Sequence, residues 1–186
     1  MGQLANLTLF FTEGVSLRTW QEVGMQSREL ALYNALAERG VKVRFVSYGD
    51  AEDRSLAPEH VDVVLNRWSL PLKWYQRSLA WFLPARNPGQ SIYKSNQIAG
   101  AQVGLRAARR AGVKFVVRCG YWLADFSERR YGYDSPQAQE ARHLEGRVFS
   151  QADAIVVTAP WMKAGICERY QLAEGRIHVV PNYVQV

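Results

Sequence analysis

The sequence predicts an α/β protein built on an open, doubly wound parallel sheet with helices on both faces. Three observations predict it. Short apolar runs of strand character alternate along the chain with longer segments of helical periodicity, and Gly40, Gly112, Pro136 and Pro181 punctuate the joins. The length of 186 residues supports one large domain and leaves little room for two. Strands separated by helices pair in parallel through right-handed crossovers, which gives the layered architecture.

Each element has its own signal. Residues 7–11 are a short β-prone run, and a loop through Gly14 leads to a helix over 25–39, where Met25, Leu32 and Leu36 recur at helical spacing. Gly40 follows as a helix stop, and residues 41–47 alternate apolar and basic as a strand does. Residues 61–65 and 92–93 read as two further strands. Residues 97–111, rich in Ala and Arg, read as a helix ended by Gly112, with a buried strand over 113–117. Ser135 and Pro136 form an N-cap followed by proline at the first helical position. The helix they open carries a stripe of Ala141, Leu144, Val148 and Ala152, while its Glu140 and Glu145 read as solvated charges or as buried partners of basic residues. Residues 154–158 form a strand, 161–170 a helix and 177–180 a last strand before Pro181.

Composition excludes several classes. With 48% apolar and 22% charged residues the chain is of ordinary globular type. Cys119 and Cys167 lie far apart and outside any C-x-x-C pair, which removes zinc-knuckle and redox readings and fits a reducing compartment. His60, His143 and His178 show no metal-ligand spacing, so no metal is expected, and there is no G-x-S-x-G elbow. The apolar run at 7–11 is too short for a signal peptide, and no stretch approaches a membrane span. A cytoplasmic chain is expected, free or peripheral to the inner face of a membrane.

The net charge of +6 is unevenly placed. Residues 1–62 hold 6 basic and 9 acidic side chains and residues 125–186 hold 7 and 8, whereas residues 63–124 hold 10 Lys or Arg and no Asp or Glu. The positive excess therefore sits in the middle third, where anionic lipid, phosphorylated substrate and nucleic acid are the possible partners. Nucleic acid is disfavoured, because no RNA- or DNA-binding motif accompanies the charge. Within that third, Lys73, Trp74, Arg77 and Trp81 belong to a helical stretch whose Leu72, Tyr75, Leu79 and Phe82 share a stripe. Basic residues beside interfacial aromatics suit an amphipathic helix on anionic lipid, with packing of the stripe on the protein's own sheet as the alternative.

Open parallel sheets bind ligands beyond the carboxyl ends of their strands. That rule selects Gly14, whose lack of a side chain lets backbone N–H groups approach a phosphate, or which simply makes a turn. It selects Asn96 and Gln97, in a Lys-Ser-Asn-Gln run, with capping of the following helix by Ser95 or Asn96 as the alternative. It also selects Arg118, Tyr121 and Thr158. Arg118 offers a fork for phosphate or carboxylate, with an ion pair to Asp125 and a core position for Tyr121 and Trp122 as the alternative. The turn after residue 11 is neither a P-loop nor a G-x-G-x-x-G fingerprint.

These segments, in order, resemble the N-terminal half of a glycosyltransferase with the GT-B fold, specifically the family 4 group of retaining enzymes. The matching residues are Phe11-Thr12-Glu13-Gly14-Val15-Ser16 with Trp20 and Gly24, Arg28-Glu29 with Leu32-Tyr33, and Lys94-Ser95-Asn96-Gln97 with Gly100-Ala101. Further on come Arg118-Cys119-Gly120-Tyr121, the run from Ala152 to Thr158, and Val179-Val180-Pro181-Asn182-Tyr183-Val184. The last is the most specific, being similar to the strand and P-N-x-V turn that leave the first domain of such proteins for the second.

The resemblance implies a Rossmann-like domain over residues 1–180, with 181–186 opening an interdomain linker, and a donor-binding second domain that is missing or separate. It implies that a nucleotide-diphosphate sugar serves as co-substrate, with no other cofactor, and that the partner is a glycan or lipid-linked acceptor. Gly14 then approaches the donor phosphate, and Asn96, Gln97, Tyr121 and Thr158 line the acceptor side. Many members carry a histidine just after the strand that here ends in Arg118-Cys119-Gly120, which leaves Arg118 as the nearest catalytic candidate. The expected function is acceptor binding in a hexosyltransferase of polysaccharide or glycolipid assembly, inactive alone. The alternative is a non-catalytic membrane-surface or targeting subunit of a split enzyme, with Lys73, Trp74, Arg77 and Trp81 facing lipid.

Overall fold

The computed structural model describes residues 4–182. Seven parallel strands form one sheet: β1 (Asn6–Phe10), β2 (Lys42–Val46), β3 (Asp62–Val64), β4 (Ser91–Ser95), β5 (Lys114–Cys119), β6 (Ala154–Val157) and β7 (Ile177–Val179), in the order β3-β2-β1-β4-β5-β6-β7. The order reverses at β1, which pairs β2 on one side and β4 on the other. This is a topological switch point, where loops leaving adjacent strands diverge and open a crevice.

Alternation along β1 feeds two cores. Leu7, Leu9 and Phe11 join one cluster with Val43, Phe45, Trp20 and Tyr33, while Phe10 joins the other with Tyr93, Phe115, Val117 and Ile155. The first cluster is covered by α1 (Leu17–Glu22) and α2 (Gln26–Glu38). The second is covered by α3 (Leu72–Phe82), α4 (Ala101–Ala111), α6 (Pro136–Gln151) and α7 (Pro160–Tyr170), with α5 (Leu123–Tyr131) against α6. The doubly wound parallel sheet expected from the sequence is what the chain forms.

Several local expectations are corrected. The helix expected over 97–111 starts at Ala101, because residues 96–100 turn instead and Gly100, at φ +89°, is its N-cap; neither Ser95 nor Asn96 caps it. Two helices carried no sequence signal strong enough to be expected. One is α1, opened by a reciprocal pair in which Ser16 Oγ accepts the Thr19 amide and Thr19 Oγ1 accepts the Ser16 amide. The other is α5. The stripe of α3 is shifted: Tyr75, Gln76 and Leu79 are buried, whereas Leu72 and Phe82 are exposed. Polar anchors set this phase, since Tyr75 Oη donates to Ser47 O at 2.9 Å and Gln76 Nε2 donates to Glu13 Oε2 at 2.9 Å. Finally, Glu145 is fully buried, and its hydrogen-bond partners are the Tyr170 hydroxyl and the Ala124 amide rather than basic side chains.

Candidate active-site cleft

The loops after β1 and β4 meet at the switch point. Glu13 N donates to Ala99 O at 3.1 Å, and Gly100 lies directly beneath that contact. Gly14 occupies the left-handed region at φ +75° in a turn closed by Val15 N to Thr12 O at 2.9 Å. A side chain there would meet open space, so the backbone of this turn is uncrowded. The Glu13 carboxylate is held beside it by Gln76, whose Nε2 also lies 3.4 Å from Tyr48 Oη. Burial pushes the Tyr48 phenol up to about 12, which keeps it neutral.

Asn96 extends the ladder, its N–H donating to Phe10 O at 2.8 Å. Its side chain is 5% exposed, and its Oδ1 has no hydrogen-bond partner among the described residues. Gln97 is committed to structure: its Oε1 accepts the Gly120 N–H at 2.9 Å and so clamps the loop after β4 to the loop after β5.

Arg118, near the carboxyl end of β5, donates from Nη1 to Asn96 O at 3.3 Å and from Nη2 to Asn182 Oδ1 at 2.8 Å. The ion pair with Asp125 that the spacing allowed does not form, since Asp125 pairs with Arg169 at 2.7 Å. Trp122 is buried as expected of a core residue, but Tyr121 is exposed and packs edge-on against Phe126. Thr158 is half-buried, its Oγ1 3.3 Å from Met162 Sδ at the start of α7.

Asn96 and Arg118 share a cavity of about 140 Å³ with Glu29, Tyr33, Lys94 and Asn182. Gly14, Tyr121 and Thr158 follow strand ends on the same rim but outside this cavity's lining. The resemblance gives Lys94 and Tyr33 no role, yet both line the cavity and Lys94 Nζ lies 3.1 Å from Tyr33 Oη. A lysine within a central parallel strand is the signal that marks the site, because such strands ordinarily bury apolar side chains. A larger depression of about 610 Å³ lies between the amino ends of β4 and β5, lined by Gln90, Gly112, Lys114 and Asp153. It faces away from the switch point, so the carboxyl rim is the better site on topology. Tyr183 and Val184 of the terminal motif lie outside the described residues.

A seven-stranded parallel sheet with its cleft at this switch point is the architecture of a GT-B glycosyltransferase domain. The chain belongs to the glycosyl transferase 4-like domain family, whose sequence profile matches residues 23–183. Among solved structures it is similar to UGT89C1 of Arabidopsis thaliana complexed with UDP, at TM-score 0.59 and 15% identity over 97% of this chain and 50% of that one. It is also similar to a sucrose-phosphate synthase from Thermosynechococcus elongatus, at TM-score 0.58 and 16% identity over 95% of this chain and 48% of that one. At such identities the likeness is one of fold. The chain spans about half the length of these structures. No curated protein sequence matches it.

Proposed function

We propose that the chain is the acceptor-binding domain of a retaining glycosyltransferase that moves a sugar from a nucleotide-diphosphate donor to a polysaccharide or glycolipid acceptor. The observation that carries this reading is the cleft itself. A glycine turn with open space beside it leaves one strand of the switch point, and beside the other the Arg118 guanidinium is fixed next to the buried Asn96, whose Oδ1 has no partner among the described residues. In this reading backbone N–H groups at Gly14 approach the donor diphosphate, and Arg118 offsets the charge that grows on it as the glycosidic bond breaks. Asn96, Tyr121 and Thr158 line the acceptor side, and Gln97 keeps the two loops at fixed spacing. A nucleotide sugar as co-substrate is supported by the plant transferase, solved with UDP and with UDP-L-rhamnose.

The donor half belongs to a second domain, on the same longer chain or on a separate one. The test is transfer of radiolabelled sugar from a panel of UDP-sugars to membrane glycolipid by the purified 186-residue chain. No turnover is expected, and robust turnover contradicts the division of labour.

A second reading, a membrane-surface or targeting subunit of a split transferase, is favoured by α3. Trp74 and Trp81 are 62% and 64% exposed on it, and Trp68 ahead of it is 81% exposed, with Lys73 and Arg77 alongside. The Arg110 guanidinium stacks 3.6 Å from the Trp81 ring centre and adds a cation to the same surface. Among the described residues no helix is long and apolar enough to cross a membrane, so contact is interfacial in this reading. Flotation with vesicles rich in phosphatidylglycerol tests it: co-flotation at low salt is expected, and none at any salt removes it. The two readings are compatible, because a glycolipid acceptor resides at such a surface.

A further inference from the structure

Lys94 is held in an unusual way. It lies half-buried on β4, its Nζ bonded to a neutral hydroxyl, Tyr33 Oη, at 3.1 Å and set 5.6 Å from the centre of the Tyr33 ring. An ammonium taken out of water needs compensating charge or hydrogen bonds, and one hydroxyl provides little of either. Burial, reinforced by the Arg118 charge and opposed by Glu29, pulls its pKa down to about 7. Asn96, nine-tenths buried, lines the same cavity, and its Oδ1 is an acceptor without a donor among the described residues. Buried polar atoms nearly always have partners, so an unsatisfied acceptor and an under-compensated cation lining one cavity define complementary ligand chemistry: an acidic group with a hydroxyl nearby. The cavity of about 140 Å³ is many times the space one water needs.

We propose that Lys94, the Tyr33 hydroxyl and the Asn96 carboxamide form a subsite for an acidic sugar. Its carboxylate or phosphate pairs with the Lys94 ammonium, and a neighbouring sugar hydroxyl donates to Asn96 Oδ1. The inference rests on the acceptor reading of this rim and narrows the acceptor to an acidic class. Arg118, already engaged by Asn96 O and Asn182, is left to the leaving group. Arriving anions favour the ammonium, so binding above neutrality is coupled to proton uptake by Lys94. The charged and titratable groups around Lys94 are Arg28, Glu29 and Tyr33 from α2 and Arg118 from β5.

The test is calorimetric titration of the 186-residue chain with D-glucuronate, D-glucose 6-phosphate and D-glucose. It is run at about pH 8 in buffers of different ionisation enthalpy, with amide shifts recorded on the same samples. At least one acid is expected to bind about tenfold or more tightly than glucose with uptake of about one proton, and the tighter acid distinguishes carboxylate from phosphate. Lys94→Met should reduce the preference to within about twofold. Lys94→Arg should keep the preference and lose the proton uptake, because guanidinium is charged throughout. Methionine keeps the buried position apolar and removes a desolvated charge, and a thermal melt checks that the variant folds.

Glucose binding as tightly as either acid, no binding of any of the three, or a preference that survives Lys94→Met overturns the subsite. If glucose shifts the amides of Asn96, Tyr121 and Thr158 as strongly as the acids do, the acceptor cleft stands and the subsite falls. If the acids bind through Lys94 without moving Tyr121 or Thr158, the subsite stands and the acceptor reading falls.

Discussion

Gly100 lies so close to Glu13 that a β-carbon added to it would stand 2.9 Å from the Glu13 amide nitrogen. The loops on the two sides of the switch point are thus pressed together at a position where only glycine fits, by space and by its φ of +89°. We expect Gly100→Ala to cost about 2 to 3 kcal/mol, as left-handed strain and the backbone contact combine. Urea unfolding measures it, and a loss under about 0.5 kcal/mol would show that the loops move apart freely.

Glu145 supplies a pH-dependent prediction. Burial holds its carboxyl above the usual range, with bonds from Tyr170 and the Ala124 amide pulling the other way. The native state therefore binds its proton more tightly than the unfolded chain. The contribution of Glu145 to stability is full below the unfolded pKa of about 4.3 and declines as pH rises through the folded value. Glu145→Gln is expected to remove that decline, so the difference in urea midpoint between parent and variant changes with pH in the acidic-to-neutral range. Glu145→Ala should cost about 3 kcal/mol by leaving the Tyr170 hydroxyl and the start of α5 without their acceptor.

Arg118 and Lys94 are coupled, because the Arg118 charge helps depress the Lys94 pKa. Arg118→Gln is therefore expected to raise the Lys94 titration from its value of about 7, toward the ordinary lysine range. Carbon-13 shifts of the lysine side chains report it directly. An unchanged midpoint would mean that the two cations do not share one cavity.

What the sequence made legible follows from how local each signal is. Ser135 and Pro136 start α6 as read, since an N-cap hydroxyl and a proline act within one turn; Ser135 Oγ accepts the Ala138 amide at 3.2 Å. Gly112 ends α4 in the left-handed region for the same reason. The start of α4 is not legible locally because what sets it is a tertiary contact, Gly100 against Glu13, between segments distant in sequence. The α3 phase differs from the apolar spacing, which favours Phe82, because Tyr75 and Gln76 are anchored by hydrogen bonds to other segments. At the site, strand ends located Asn96 and Arg118, which do share a cavity. Lys94 went unassigned because its partner Tyr33 lies 61 positions away on another element.

For the membrane reading, reversing charge on the exposed side of α3 is the sharpest test. Each Lys or Arg near an anionic surface contributes about 1 kcal/mol. Lys73→Glu with Arg77→Glu should accordingly weaken vesicle partitioning by about tenfold or more, while leaving the fold intact because both side chains are exposed. Unaltered flotation of the double variant would place any lipid contact elsewhere.

In the proposed function the carboxyl rim at the switch point receives the acceptor while the donor is held by another domain. Nitrogen-15 amide mapping of the 186-residue chain, titrated separately with glycolipid-derived oligosaccharide and with UDP-glucose, tests it most directly. The oligosaccharide is expected to shift the amides of Asn96, Gln97, Arg118, Tyr121 and Thr158, and UDP-glucose alone is expected to bind only weakly near Gly14. Oligosaccharide shifts confined to the amino-end depression around Gln90 and Gly112, or tight binding of UDP-glucose by this chain alone, would contradict the account.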